Sequence, residues 1–270
     1  PIQELGITSI GVEPAKNVAK IANSNGLKTF TEYFTNKTVN KITKQYGKVD
    51  VVTAFNVFAH SDGLRDILEN VKKLLKEDGE FIFEIQYFLR TIKDLTFDNI
   101  YHEHVNYWCL LSILNFFKDS GMKVYKVEEV NTHGGSLRVY IKKDKKAKIE
   151  KNVKQMLEEE ENFGIKKFET YKKFGEKVYK IRENVRKNIK KLKEHNKLLI
   201  GYGAPAKATT ALNFFGITNQ IDFIVEDNKL KHGKYLPGVN IPIKSKINIK
   251  NKKPIFLDGV TGSGKTEIYF

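Results

Sequence analysis

The residues best suited to chemistry fall between positions 98 and 108, in the run Asp98-Asn99-Ile100-Tyr101-His102-Glu103-His104-Val105-Asn106-Tyr107-Trp108. Two of the six histidines, a carboxylate and two tyrosines lie within seven residues. Imidazole titrates near neutrality, so it can take a proton from an activated carbon, and a neighbouring carboxylate can fix its tautomer. In extended backbone His102 and His104 would point the same way, which opens a metal reading. Two ligands fall short of the usual three or four, and no other cluster offers the remainder. A surface loop with incidental histidines is the bland alternative.

Four further places bear on ligands. Glu13 sits at the tip of a strand with Pro14 opening a helix, where an acid can accept hydrogen bonds from both ribose hydroxyls of a nucleotide cofactor. An exposed strand-end glutamate explains it as well. Gly201-x-Gly203-x-x-Ala206 has dinucleotide spacing between a strand and a helix, so its amides can cradle a pyrophosphate. Close packing of strand and helix accounts for those glycines equally. Gly134-Gly135-Ser136 reads as a tight turn into a strand. The run Phe256-Leu257-Asp258-Gly259-Val260-Thr261-Gly262-Ser263-Gly264-Lys265-Thr266 satisfies GxxxxGK[ST], in which backbone amides wrap phosphates while Lys265 and Thr266 meet the phosphates and Mg²⁺.

The elements that must position these groups alternate in the βα manner over residues 8–145, which predicts a mostly parallel α/β sheet. Strands are expected over 7–13, 49–55 and 80–85, with helices over 14–25 and 64–75 and a stop at Glu77-Asp78-Gly79. After a helix near 109–120, residues 123–130 and 136–142 should close the sheet as an antiparallel pair. Residues 146–196 turn Lys/Glu-rich, with Met156, Phe163, Phe168, Tyr171, Phe174, Val178 and Ile181 at roughly helical spacing; they predict one or two long connecting helices. The apolar positions hold no strict heptad, which disfavours a free coiled coil. A second α/β lobe covers 197–250 with about one βαβ unit visible, and 251–270 behaves as a separate fragment.

The chain's 270 residues give room for such an arrangement, and a 40% hydrophobic fraction is ordinary for a globular protein. No apolar run reaches the ~20 residues of a membrane span, and the first residues carry no signal-peptide pattern. The single cysteine, Cys109, excludes an internal disulfide framework and fits a cytoplasmic setting. The net charge of +15 is nearly all lysine, spread beside many Asn and Ile with no Arg–aromatic alternation, so a solvated surface is favoured over nucleic-acid binding.

Three motifs together resemble the S-adenosylmethionine (SAM)-dependent sugar C-methyltransferases, which modify nucleotide-linked 4-keto-deoxysugars. They are Ile100-Tyr101-His102-Glu103-His104, Thr132-His133-Gly134-Gly135-Ser136-Leu137-Arg138-Val139-Tyr140 and Gly201-Tyr202-Gly203-Ala204-Pro205-Ala206-Lys207. Gly11-Val12-Glu13-Pro14 and Ala54-Phe55-Asn56-Val57-Phe58-Ala59-His60 look like that family's cofactor-pocket segments. Asp227-Asn228 through Gly238 is similar to its C-terminal lobe. The match runs through about residues 1–245 in order.

The resemblance implies a class I, Rossmann-like methyltransferase sheet missing its first strand, a helical connector and a partial Rossmann-like lobe. It implies SAM as cofactor, held by Glu13 and Pro14 and by Ala54, Asn56 and His60. His104 would be the base, Glu103 its orienter and Tyr101 a hydrogen-bond partner of the substrate. His102, the Gly134–Ser136 turn and Gly201, Gly203, Ala206 and Lys207 would contact a nucleotide-linked sugar. Family members usually carry an N-terminal zinc module and a Gly-rich SAM loop, so impaired activity is expected. Residues 254–270 resemble the Walker A segment of primosomal replication helicases, with Gly259, Gly264, Lys265 and Thr266 as phosphate contacts. Two other readings stay open: a replication-helicase fragment and a non-catalytic nucleotide-sugar-binding protein.

Overall fold

The structure, a computed structural model, describes residues 5–132, 134–144, 146–249, 255–259 and 266–269, with 248–249 and the last two segments as backbone only. The chain begins with β1 (Gly11–Val12), α1 (Lys16–Ser24), β2 (Thr29–Phe30) and α2 (Asn36–Tyr46). Next come β3 (Val49–Phe55), a 3₁₀ turn Phe58–His60, α3 (Leu64–Leu74), β4 (Leu75–Gln86) and α4 (Phe88–Lys93). A second 3₁₀ turn, Phe97–Asn99, leads through the loop 100–109 into α5 (Leu110–Phe117), β5 (Lys123–Val130) and β6 (Ser136–Lys142).

β3 and β4 pair in parallel, β4 and β6 antiparallel, and β6 and β5 antiparallel, giving the order β3-β4-β6-β5. β1 and β2 form a separate parallel pair. Among the described residues the β1–β2 pair is not joined to β3, which stands at the edge of its sheet. The strand expected over 7–13 is correspondingly short. Its ladder to β2 is two residues long, and Ile7 lies outside it, exposed. A second difference lies at residue 75. Helix α3 ends at Leu74, and β4 begins at once with Leu75 fully buried, so Glu77-Asp78-Gly79 belongs to the strand and does not stop the helix.

Aromatic packing fills the core beneath the strand ends. Phe58 stacks on Phe83 at 4.8 Å between centroids, and Phe83 stacks on Phe117 at 6.0 Å. The alternation of buried Phe81, Phe83 and Ile85 is what a strand with one face on the core requires.

The connector is α6 (Lys151–Phe163) and α7 (Phe168–Glu194), separated by Gly164 in a left-handed cap at φ 82°. Met156, Leu157, Phe163, Tyr171 and Phe174 pack on the first core, whereas Ile181, Val185, Ile189 and Leu192 belong to the second. The 27-residue α7 therefore serves both lobes.

The second lobe adds β7 (Leu199–Tyr202), α8 (Ala206–Phe215), β8 (Phe223–Val225), β9 (Ile243–Lys244), β10 (Ile255–Gly259) and β11 (Thr266–Tyr269) in the order β11-β10-β7-β8-β9. It holds five strands where one βαβ unit was expected, and β10 joins β7 in parallel although 251–270 reads as separate in sequence. Phe97 reaches from the first lobe to stack near Phe214 and Phe215, at 4.9 and 5.6 Å, and so docks α8 beside the loop 100–109.

Candidate active site

The loop 100–109 is held against the C-terminal ends of β3 and β4 by backbone bonds on both flanks. Val105 and Asn106 donate their backbone amides to the Ala59 carbonyl, and the Asn106 side chain donates from Nδ2 to Ser61 O at 2.6 Å. At the other end Phe88 N donates to Trp108 O, and a parallel bridge joins Tyr87 to Trp108.

His104 sits inside this frame. A turn closes from His104 N to Tyr101 O, and its Nδ1 donates to Asn99 O at 2.8 Å. A carbonyl only accepts, so the proton sits on Nδ1 and Nε2 carries the lone pair of the neutral ring. The ring lies 4.6 Å from Tyr101 and 4.9 Å from His60, centroid to centroid. Burial holds its pKa below the usual 6.5, and the nearby His60 and Lys207 push the same way, against the Asn99 carbonyl and Glu103. Nε2 is thus an available proton acceptor at neutral pH.

The orienting role expected of Glu103 needs correction. Its carboxylate is exposed and accepts the Tyr101 hydroxyl at 3.3 Å, whereas the Asn99 carbonyl fixes the His104 tautomer. The tight turn from Tyr101 to His104 carries the intervening side chains outward. What Glu103 gives the cluster is its backbone carbonyl, which takes Nδ1 of His60 at 2.9 Å. His60, expected at the cofactor, thereby becomes a neighbour of His104. Burial raises the Tyr101 hydroxyl's pKa, with Glu103 adding to it, so the phenol stays a hydrogen-bond donor. His102 is exposed and meets the edge of Tyr101 at 5.9 Å. Among the described residues no group of three or more His, Cys, Asp or Glu is placed to hold a metal.

The cofactor-side candidates sit at strand tips. Glu13 follows β1, is half-buried, and accepts the Ala15 amide through Oε1 at 2.7 Å. Its Oε2 makes no hydrogen bond among the described residues, which leaves an acceptor for a ribose hydroxyl. Pro14 is exposed beside it, and α1 starts at Lys16. Ala54 is half-buried in β3, and Asn56, in the left-handed region at φ 54°, turns the chain so that Phe55 and Val57 stay half-exposed. Asn is among the few side chains that tolerate this conformation. A carboxylate with a free oxygen can take a ribose hydroxyl, and exposed apolar surface can take the base of a nucleoside. No hydrogen bond or ion pair among the described residues links Glu13 to the His60–His104 cluster.

Behind the site, Glu84 is 4% exposed and is held by Arg138 Nη2 at 2.9 Å and Thr132 Oγ1 at 2.6 Å. Nothing in the alternation of β4 singles it out. The Gly134–Ser136 turn feeds β6, with His133 outside the described residues. Gly135 has φ 104°, and a Cβ there would stand 2.9 Å from Arg90 Cβ, so it must be glycine for backbone and packing alike. Ser136 is buried and donates to Thr132 O.

In the second lobe the phosphate-cradle expectation meets occupied amides. Gly203 N donates to Val225 O, and Ala204 N to the Glu226 carboxylate at 2.9 Å. A Cβ at Gly201 would come within 2.9 Å of Ile224 Cγ1, so close strand packing accounts for this glycine, while φ 85° accounts for Gly203. Helix geometry leaves only Ala206 and Lys207 with first-turn amides directed outward. The Walker A expectation also changes. Gly264 and Lys265 lie outside the described residues, but Gly259 and Thr266 pair as register partners of an antiparallel β10–β11 hairpin. A phosphate loop needs a helix starting near that Thr, and a strand stands there instead.

Comparison with known proteins gives consistent assignments. Residues 1–127 match the family described as methyltransferase domain, and 131–258 match the C-methyltransferase C-terminal domain. The chain is 34% identical over 245 residues to the C-methyltransferase NovU of Streptomyces niveus, covering 90% of this chain. The chain spans 58% of that relative's length. Among solved structures it is similar to a SAM-dependent methyltransferase of Thermotoga maritima, a possible histamine N-methyltransferase, at 17% identity and a TM-score of 0.41, covering 52% of this chain and 75% of that one. Another is magnesium protoporphyrin IX methyltransferase of Synechocystis with bound SAH, at 12% identity and a TM-score of 0.38, covering 52% and 66%.

Proposed function

We propose, from the match of residues 1–127 to a methyltransferase domain and of 131–258 to a C-methyltransferase C-terminal domain, that the chain is a C-methyltransferase acting on a carbon beside the ketone of a nucleotide-linked 4-keto-deoxysugar. The cofactor of such domains is S-adenosylmethionine, which when bound supplies a methyl group on a sulfonium. Glu13 would hold its ribose, with Asn56 and the Phe55–Val57 surface beside the base.

The observation that carries the reading is the His104 imidazole: neutral, proton fixed on Nδ1 by Asn99 O, and Nε2 left as acceptor. A ketone acidifies the adjacent C–H, and Nε2 takes that proton while the electron pair moves toward the carbonyl oxygen. The Tyr101 ring lies beside His104, where its hydroxyl would turn from Glu103 to the substrate, and His60 closes the cluster from the 3₁₀ turn Phe58–His60. General-base catalysis typically contributes about 10²–10⁴-fold. The second lobe would hold the nucleotide end, with Lys207 directed at the site.

The test is transfer of labelled methyl from SAM to a nucleoside-diphosphate 4-keto-6-deoxysugar. His104→Ala should lose about 10²–10⁴-fold in kcat with less effect on KM. Full activity in the alanine variant would end the assignment of the base. Sugar binding without any transfer would favour a non-catalytic nucleotide-sugar-binding protein.

A further inference from the structure

Lys207 is the residue whose position exceeds a role in holding nucleotide. It lies in the first turn of α8, and its Nζ is buried without a hydrogen-bond partner among the described residues. A buried ammonium in that state costs free energy unless an anion or a strong acceptor completes it. α8 is docked on the 3₁₀ turn Phe97–Asn99 through Phe97 against Phe214 and Phe215. That turn carries both Asp98, whose charge acts on Lys207, and Asn99, whose carbonyl holds His104. Lys207 in turn acts on His104. The Asn99 side chain, 0% exposed, likewise leaves both Nδ2 and Oδ1 unpartnered among the described residues, so the wall between the lobes holds polar groups not yet satisfied.

Resting on the reading of His104 as base, we propose that Lys207 is a catalytic residue for enolate formation: its ammonium receives the negative charge that appears on the ketone oxygen as His104 removes the neighbouring proton. The C–H pair of electrons becomes the C=C bond, the carbonyl π pair goes to oxygen, and the proton goes to Nε2. The charge on nitrogen 207 then faces an alkoxide-like oxygen across a desolvated site, where such interactions are strongest. The same ammonium keeps the imidazole deprotonated before the step. Burial lowers the pKa of Lys207 itself, and Asp98 opposes that and holds the cation. The groups facing His104 are His60 from the turn after β3, Tyr101, Glu103 and Tyr107 from its own loop, and Lys207 from α8, with Asp98 behind it. In this arrangement the two lobes share one reaction: one supplies the base and the other the charge that makes the base effective.

The experiment separates enolate formation from methyl transfer. A nucleoside-diphosphate 4-keto-6-deoxysugar is incubated with the protein in D₂O without methyl donor, and wash-in at the carbon next to the ketone is followed by NMR. Lys207→Met should slow exchange by about 10²–10³-fold, as loss of one oxyanion donor does elsewhere. Lys207→Arg should recover part of it, and the probe's Kd should change less than the exchange rate. In the free protein, the His104 ring titration should move to higher pH in Lys207→Met and stay near wild type in Lys207→Arg. Unchanged exchange in Lys207→Met, with wild type exchanging, overturns the proposal while leaving the base intact. Absence of exchange in wild type instead overturns the function proposed above. The lysine assignment is then judged by the ring titration, and an unmoved midpoint sinks it.

Discussion

His104 carries a signature that can be measured without any substrate. Its pKa lies below 6.5 because burial disfavours the cation, with His60 and Lys207 adding to it. As pH falls through the ordinary histidine range, the unfolded chain therefore takes up this proton before the folded one does. Folding stability contributed by this group is complete above that range and declines toward acid. The expected outcome is a ring titration midpoint below 6.5 by NMR, together with a flatter acid limb of stability in His104→Ala. A second prediction concerns Glu13: replacing it with alanine should weaken SAM binding about tenfold by calorimetry, the equivalent of about 1.4 kcal/mol, a typical loss of one or two hydrogen bonds to a charged group. Which group orients the His104 ring was not legible from residue types. A carboxylate one position away invites the role, yet a backbone carbonyl five residues back performs it, and a backbone group leaves no trace in composition. The pairing of His60 with His104 was hidden for a related reason, since 44 positions of chain separate them and only the sheet brings them together.

Among the elements, the strands and helices whose periodicity is clean were read nearly to the residue. β3, β5 and β6 coincide with the expected spans. The failures share a cause: Leu75 was assigned to a helix because its spacing suits one, but the strand claims it through the buried partners of β4. Glu160 is the deepest element-level feature that sequence did not mark. It sits in the charged run of α6, is fully buried, and accepts the Tyr87 hydroxyl at 2.9 Å and the Leu111 amide at 2.9 Å, as well as the Leu110 amide. A carboxylate at a helix start satisfies amides that have no intrahelical partner. Glu160→Ala should cost about 3–5 kcal/mol in urea unfolding, because it strands buried donors at the start of α5. Gly175, within α7, has nothing within 4 Å of an added Cβ. Gly175→Ala should therefore stabilise the protein by about 0.5–1 kcal/mol in the same measurement.

At the scale of the molecule, the ties between the two lobes include α7, which lends residues to both cores, and the Phe97 contact with α8. The first is continuous chain and the second is packing alone, so they can be separated by mutation. Phe97→Ala should leave each lobe folded while raising hydrogen exchange along Phe97–Asn99 and the first turn of α8. The same variant should lose activity beyond its modest stability cost of about 2–3 kcal/mol. Two lobes joined by a helical connector were apparent from the shift to Lys/Glu-rich sequence at 146. How they dock was not, because a single phenylalanine in a polar loop carries no periodicity.

One consequence follows from the interruption between β1 and β3. The outer side of β3 offers a row of amides and carbonyls that no neighbouring strand answers among the described residues, with Val51 and Phe55 half-exposed along it. Such a margin welcomes any extended peptide that can lie down beside it. Handled on its own at high concentration, this chain should self-associate through that margin, and a charged residue at Val51 should keep it monomeric in sedimentation while sparing the fold.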